Sequence, residues 1–172
     1  MSAQDRSGPG NLTYDIFIAA PMSGRSESFS YEESRREILE VMRRLRETHG
    51  IARAYYAGEA IETTDAFSDQ SLALERDIAA IRSCSVFLML YPERIVSSAL
   101  VEIGYAMAVG KPCIVLARDR TDLPFLFGEA EMLSGRAGVP PFAVRLYASG
   151  DDLPRAIDED VVPFYRKHAP AS

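Results

Sequence analysis

The strongest constraint on the fold lies in the middle of the chain, where two apolar runs flank a helical pattern. Ser85–Tyr91 and Cys113–Leu116 have the length and composition of buried strands. The segment between them starts with the helix-capping residues Ser97 and Ser98 and ends at Gly110, a helix-stop residue. This order predicts a right-handed βαβ unit, whose helix begins at the edge of a parallel sheet where ligands bind.

Glu102 is the candidate catalytic residue of this helix. It lies four residues after Ser98, and the residues around it, Ala99–Gly104, are otherwise apolar. A glutamate in the first turn is also common on helix surfaces, because it interacts favourably with the helix dipole. The apolar neighbours leave almost no polar face, so we favour the interpretation that the carboxylate points into a cleft.

Strands and helices alternate along the rest of the chain. Further strands are predicted at Asp15–Ala20, Ile51–Tyr56 and Pro141–Tyr147, and helices at Tyr31–His49, Gln70–Ser83, Glu129–Leu133 and Asp151–Lys167. The helix at 70–83 is expected to bury one apolar face, formed by Leu72, Leu74, Ile78 and Ile81. The alternation predicts a three-layer α/β fold with a doubly wound, mostly parallel five-stranded sheet of the flavodoxin-like or Rossmann-like type. Residues 1–12 are expected to form a flexible tail and 13–170 a single domain.

The composition narrows the class of partner. The chain of 172 residues has a formal net charge of −6 and no basic stripe, so a nucleic-acid polymer is not expected to bind. Cys84 and Cys113 stand at the ends of apolar runs and are expected to be buried thiols in a reducing compartment. With only two histidines, neither a metal site nor a cofactor is expected. No signal peptide or membrane-spanning run is visible, so a cytoplasmic protein without a membrane partner is expected.

The loop after the first strand is a candidate phosphate site. It contains Ser23, Gly24 and Arg25, and the predicted topology brings it close to Ser98 at the start of the central helix. Hydroxyl, backbone and guanidinium donors beside a helix N-terminus suit a phosphate. From the residues alone, an ordinary solvated turn explains this loop slightly better.

Taken together, these segments resemble the nucleoside 2-deoxyribosyltransferase superfamily, in particular its branch of nucleoside 5′-monophosphate N-glycosidases. The resemblance extends from Asp15 to about Leu116. It rests on the segments Ile16–Arg25, Glu75–Ile81, Ser85–Tyr91 and Ser98–Lys111, of which the last is the most specific.

The resemblance implies cleavage of an N-glycosidic bond, or base exchange, on a nucleoside or nucleoside 5′-monophosphate. It implies that Glu102 is the nucleophile that attacks the anomeric carbon, and that Asp77 contacts the substrate and helps to protonate the departing base. From the residues alone, Asp77 would be taken for part of a solvated helical face with local ion pairs. The family also assembles as homodimers or larger homo-oligomers, so the same is expected here.

The resemblance further implies that a 5′-phosphate is held by residues of the first loop and of the central helix start. These residues are Ser23, Gly24, Arg25 and Ser98. The chain departs from the family at Ser97–Leu100, where the family often has glycines, and the bulkier side chains are expected to narrow the sugar site or change what fits it.

A second departure is Phe17, because the family commonly has a tyrosine there whose hydroxyl orients the nucleophile. Tyr14, Tyr91 and Tyr105 are candidates to supply this hydroxyl, and Tyr105 lies three residues after Glu102 on the same side of the helix. Phe17 itself also suits the core of a strand.

Four residues in or beside the loop after the second strand are candidates to stack on the base or to recognise its edge. They are Tyr55, Tyr56, Glu59 and Phe67. Packing within the loop explains them at least as well.

Two other functions remain open at this point. The first is a Toll/interleukin-receptor-like NAD glycohydrolase, in which Glu102 would keep its role. The second is a nucleotide-sensing module that retains the pocket without turnover, which the missing hydroxyl at Phe17 would support. The sequence leaves open the base, ribose versus deoxyribose, and hydrolysis versus transfer.

Overall fold

Five parallel strands form the sheet in the computed structural model, which describes residues 14–22, 30–60 and 70–170. The strands are β1 (Tyr14–Ala19), β2 (Ala54–Tyr55), β3 (Cys84–Tyr91), β4 (Cys113–Ala117) and β5 (Phe142–Leu146). Their order is β2-β1-β3-β4-β5, and each neighbouring pair is parallel. The predicted doubly wound α/β fold is therefore confirmed, with a second strand much shorter than the sequence predicts.

Helices cover both faces of this sheet. They are α1 (Tyr31–His49), α2 (Gln70–Ser83), α3 (Ser98–Ala108), α4 (Phe125–Met132), α5 (Leu153–Ala156) and α6 (Val162–His168). A π turn at Ile157–Val161 joins α5 to α6, so the two form one continuous helical segment. The short predicted helix at 129–133 in fact begins at Phe125. Among the described residues, no helix combines the length and the apolar character needed to cross a membrane.

Alternating side chains of the strands build one apolar core on each face of the sheet. In β1, Ile16 and Ile18 point to the core under α1 and the C-terminal helical segment. Phe17 and Ala19 point to the other core, under α2, α3 and α4. This period of two places consecutive residues on opposite faces, so each strand serves both cores.

Helix α1 forms where its caps and its apolar spacing predict it. Ser30 is the N-cap and accepts a hydrogen bond from the backbone N–H of Glu33. Gly50 ends the helix at φ +69°, a left-handed conformation that favours glycine. The apolar positions of the predicted stripe are all buried: Ile38, Val41, Met42 and Leu45.

The predicted apolar face of α2 is wrong at Leu74, which is 59% exposed. Burial is concentrated instead at the end of the helix, at Ala80 and Ile81, where α2 packs on β1 and β3. The helical spacing is present in the sequence, but among the residues that the structure describes nothing covers Leu74. Cys84 and Cys113 are free and buried, as predicted.

The exposed edge of β5 is protected by side chains that follow or belong to α4. The backbone N–H of Val144 donates to Glu131 Oε1 at 2.9 Å, and that of Phe142 donates to Ser134 Oγ at 2.8 Å. Glu131 also pairs with Arg120 and Arg145. These bonds satisfy donors that an edge strand would otherwise present to another chain.

Candidate active site

The candidate site lies at the carboxyl edge of the sheet, where the strand order reverses. The chain passes from β1 to β2 on one side and returns to β3 on the other side of β1. Helix α1, which follows β1, packs on one face of the sheet, and α3, which follows β3, packs on the other. A crevice at such a switch point is the usual ligand site of open α/β sheets. Helix α3 starts above this edge.

Glu102 lies one turn into α3 and is largely removed from solvent. Ala99, Ile103 and Ala106 form the buried side of this helix, which places Glu102 beside the core. Burial raises the pKa of Glu102, and the charge of Asp77 raises it further, to about 7, while a hydrogen bond from Ser98 opposes both. Glu102 is therefore a carboxyl group that changes its charge near neutral pH.

Asp77 lies on the neighbouring helix α2 and is also partly buried. Burial raises the pKa of Asp77, and a hydrogen bond that the Tyr55 hydroxyl donates to Asp77 Oδ1 at 2.9 Å opposes the shift. The charge of Asp77 acts on Glu102. The structure thus brings together two carboxyl groups that lie 25 residues apart in the chain.

Tyr55 and Phe17 form an aromatic floor below these carboxyl groups. They are paired residues of β2 and β1, and their rings stack at a centroid distance of 5.3 Å. Phe17 is 1% exposed and stacks on Phe87 at 5.2 Å on its other side. Tyr14 packs against the Tyr55 ring at 5.0 Å. In this arrangement Phe17 supports Tyr55 from within the core.

Tyr56, next in the chain, faces the opposite core and is 3% exposed. Burial raises the pKa of its hydroxyl, and interactions with Tyr31 and Glu102 contribute, so this hydroxyl lies close to the nucleophile candidate. Its ring lies over Gly58, where a Cβ would approach the ring to 2.5 Å. Glycine at position 58 is therefore needed for the observed placement of Tyr56.

The 3₁₀ turn Ala57–Ala60 is held by two arginines of α1. Arg35 donates to the carbonyl oxygens of Gly58 and Glu59 at 3.0 and 2.9 Å. Arg46 pairs with the Glu59 carboxylate at 2.8 Å. The Glu59 carboxylate thus helps to fix the turn, and its contact with a base edge stays a prediction.

The tyrosines that are candidates to supply the hydroxyl missing at Phe17 differ in their contacts. Tyr91 is wrong for this role, because its hydroxyl donates to the carbonyl of Ile95 at 2.6 Å and accepts from the Ile95 N–H at 3.0 Å. Tyr105 packs against the apolar core under α3. Another tyrosine of the described residues, Tyr55, donates its hydroxyl to a site carboxylate, that of Asp77. The pairing of β1 with β2 that brings it there has no local signal in the sequence.

The start of α3 confirms Ser97, one of the two predicted capping serines, at the N-cap position. The Ser97 side chain makes no capping hydrogen bond, however, and its hydroxyl oxygen is buried without a partner in the described part of the chain. Ser98 is the first helical residue, and its side chain bonds Glu102. The expectation that Ser98 caps the helix is therefore wrong.

Several candidate residues lie outside the described residues: Ser23, Gly24, Arg25 and Phe67. In the ranges 14–22, 30–60 and 70–170, no group of three or more His, Cys, Asp or Glu is arranged to hold a metal ion. The chemistry that the described site offers is that of a buried carboxyl pair with adjacent hydroxyl donors.

Comparison with known proteins gives one family and two similar structures. The sequence model of the nucleoside 2-deoxyribosyltransferase family matches residues 16–150. The CMP N-glycosidase BcmB of Clostridium botulinum is similar at 18% identity and a TM-score of 0.58, over 84% of this chain and 97% of that one. The solution structure of BlsM is similar at 19% identity and a TM-score of 0.62, over 94% and 98%. At these identities the likeness is one of fold. No curated protein matches the chain.

Proposed function

Because the chain belongs to the nucleoside 2-deoxyribosyltransferase family, we propose that it cleaves or exchanges the N-glycosidic bond of a nucleoside or nucleoside 5′-monophosphate. The observation that carries the proposal is the carboxyl pair. Glu102 and Asp77 come from neighbouring helices, both are partly buried, and the charge of Asp77 raises the pKa of Glu102. A nucleophile and an acid on opposite sides of a scissile bond are what glycosyl cleavage requires.

In the proposed reaction, the bond between the anomeric carbon and the base nitrogen breaks and its electron pair leaves with the base. Asp77 supplies the proton that the departing nitrogen needs. The Glu102 carboxylate stabilises the oxocarbenium-like sugar or bonds to its anomeric carbon. Water or a second base then takes the place of Glu102 at that carbon. The proton released by the water, or by the nitrogen of the incoming base, returns to Asp77.

This mechanism requires the pair to hold one proton, with Glu102 ionised and Asp77 protonated. Burial raises the pKa of both groups, so the last proton stays on the pair up to about pH 7. Two neighbouring carboxyl groups lose their protons in two steps that belong to the pair. Before the reaction this proton lies mainly on Glu102, because the charge of Asp77 raises the pKa of Glu102 to about 7. A bound sugar that becomes cationic favours the ionised form of Glu102, and the shared proton then belongs to Asp77.

We further propose that the substrate carries a 5′-phosphate, bound by Ser23, Gly24 and Arg25 together with the start of α3. The first N–H groups of a helix lack partners within the helix and favour an anion. BcmB, which shares the fold, acts on a nucleoside monophosphate, CMP. Ser98 would then serve both the phosphate and Glu102, since its side chain already bonds that carboxyl group.

A homodimer or larger homo-oligomer is the proposed functional state. Three exposed apolar side chains lie on or next to the helices that carry the candidate carboxyl pair, and we call them the apolar rim: Leu74, Val96 and Val101. Val96 is 91% and Val101 72% exposed. A two-fold interface brings a surface against its own copy, so exposed apolar side chains suit a second copy of this chain.

A base-release screen across nucleosides, nucleoside monophosphates and dinucleotides tests this function. Base release from a nucleoside or a monophosphate is expected. If Arg25 contacts a phosphate, the monophosphate should be preferred by at least about tenfold, because each charge-assisted hydrogen bond contributes roughly 1.5–3 kcal/mol. Arg25→Ala should remove that preference and leave nucleoside turnover nearly unchanged. Binding without any base release, or release from dinucleotides alone, would contradict the proposal.

A further inference from the structure

The Tyr55 hydroxyl is the side-chain donor that reaches Asp77. It donates to Oδ1 at 2.9 Å, and both residues are partly buried. Two ring contacts fix the Tyr55 ring, the stack on Phe17 and the tilted contact with Tyr14. The pairing of β2 with β1 fixes its backbone. The hydroxyl therefore has little freedom to move away from Asp77.

We propose that Tyr55 is a positioning residue that directs the proton of Asp77 towards the leaving base. The inference rests on the proposed function, because it assigns Asp77 the role of acid. Oδ1 accepts the hydrogen bond from Tyr55, so the proton of a neutral Asp77 resides on Oδ2. Only one oxygen of the carboxyl group is then available as the proton donor.

The same hydrogen bond assists the transfer itself. As the proton leaves Oδ2, negative charge develops on the Asp77 carboxyl group, and a donor already aimed at Oδ1 stabilises that charge. Without it, Asp77 would be a weaker acid, because burial disfavours the charged form. Tyr55 thus offsets part of the effect of burial, which raises the pKa of Asp77.

This arrangement also bears on the departure at Phe17. Phe17 and Tyr55 are directly paired and stacked, so a hydroxyl absent from β1 is present one strand away on β2. It acts on the acid candidate rather than on the nucleophile candidate. Among the described residues, the charged and titratable groups that act on the Tyr55 hydroxyl are Asp77 and Arg76 from α2 and Tyr14 from β1, and the charge of Asp77 acts in turn on Glu102 from α3.

The test compares Tyr55→Phe with Tyr14→Phe. Both changes remove one hydroxyl and keep the aromatic cluster, but only Tyr55 bonds Asp77. For Tyr55→Phe, we expect kcat on the best substrate of the screen to fall roughly tenfold, with KM little changed. A 4-nitrophenyl glycoside of the same sugar should be far less affected, since its leaving group needs little protonation. Equal losses with both substrates would overturn the inference, as would equal losses in the two variants.

A second measurement does not depend on activity. In carboxyl ¹³C NMR, the titration of Asp77 should move up by about one pH unit in Tyr55→Phe, because a hydrogen bond that lowers its pKa is lost. The titration of Asp77 should not shift in Tyr14→Phe. An unmoved Asp77 titration overturns the inference even if the wild type releases base. A wild type that releases no base from any compound overturns the proposed function, while the titration still decides whether Tyr55 controls Asp77.

Discussion

At the scale of single residues, the carboxyl group of Glu102 is held where its charge is unfavourable. Burial and the neighbouring Asp77 both favour its protonated form, and the Ser98 hydrogen bond offsets only part of this. Such a group does not stabilise the fold. An apolar residue of similar size would pack beside Ala99 and Ile103 without the cost of removing a charge from water. Perturbed carboxyl groups in a cleft are typical of catalytic sites.

Glu102→Gln should lower base release by about 10³-fold or more, because glutamine keeps the shape but loses the charge that stabilises the oxocarbenium-like state. The check is steady-state release of base from the best substrate. Circular dichroism of the variant serves as control for the fold. A slow 2-fluoro sugar analogue should label Glu102 covalently in the wild type. Near-normal turnover of the variant would rule out the assignment.

The same variant should change how stability depends on pH. The pKa of Glu102 is raised from 4.5 to about 7, so the folded state holds the proton more tightly than the unfolded chain. The free energy of unfolding of the wild type therefore falls as the pH rises from about 4.5 through about 7. Glu102→Gln should be more stable than wild type at pH 8, by about 1–3 kcal/mol, and nearly equal to it at pH 4. Urea unfolding at both values measures this, with the exposed Glu129→Gln as control.

Asp77→Asn tests two effects of Asp77, its charge acting on Glu102 and its role as proton donor. It removes the charge that raises the pKa of Glu102, so that pKa should fall towards its ordinary value. It also removes the proton donor, so turnover should fall more than affinity, and most with poor leaving groups. In the wild type, activity should decline as pH rises above about 7, when the pair loses its last proton. The pH–rate profiles of the wild type and of Asp77→Asn, each measured with good and poor leaving groups, test this prediction. Profiles that are alike for the two proteins would contradict it.

The two carboxyl groups differ in how far the sequence could identify them. Glu102 could be singled out from its own helix, because apolar neighbours at helical spacing leave a lone carboxylate unexplained. Asp77 follows the exposed residues 73–76, two of which are charged, and only the family resemblance pointed to it. The bond from Tyr55 to Asp77 joins a strand to a helix across the aromatic floor. It depends on strand register, which these two short strands do not encode locally.

At the scale of elements, the helices were predictable where caps and apolar spacing agree. Helix α1 has an N-cap serine, a C-terminal glycine and a buried stripe between them. Helix α4 has none of these signals: Pro124 precedes it, no side chain caps it, and it buries only Phe127 and Ala130. Its start was therefore misplaced. Strand β2 is shorter than its sequence pattern predicts, because only Ala54 and Tyr55 pair with β1.

The protection of the β5 edge leads to a prediction for α4. Glu131→Ala removes the acceptor of the Val144 N–H and the partner of Arg120 and Arg145. A hydrogen bond to a charged group contributes roughly 1.5–3 kcal/mol, so the variant should lose about that much stability. Urea unfolding measures the loss. Glu129→Ala, an exposed change on the same helix, should cost little, and equal losses for the two would show that Glu131 has no special role at the edge.

At the scale of the whole molecule, the alternation of strands and helices was sufficient to predict the layers and the parallel sheet. Right-handed crossovers then leave few strand orders, and the observed order reverses beside β1. This reversal places the start of α3 and the end of β2 over the same crevice, which explains how distant segments meet at one site. The exposure of individual side chains could not be predicted in the same way, because helical spacing alone assigned Leu74 to the core.

The last prediction concerns the apolar rim of Leu74, Val96 and Val101, and hence the assembly. Stable interfaces bury roughly 800 Å² on each partner, so the exposed apolar side chains of the rim are suited to the centre of a larger contact. Val101→Asp should produce a monomer in light scattering after size exclusion, because a charge at the centre of a two-fold contact faces its own copy.

Phe125→Asp is the matched control for the rim. Phe125 is 80% exposed and lies on α4, outside the rim, where an aspartate in the first turn of a helix is well tolerated. It should leave the oligomer intact. If a second copy covers the crevice, the Val101→Asp monomer should also bind substrate less tightly, with a higher KM, while its unfolding by urea stays close to that of an isolated wild-type subunit. A wild type that is monomeric at all concentrations, or a Val101→Asp variant that remains an oligomer, would show that the apolar rim does not join two copies of the chain.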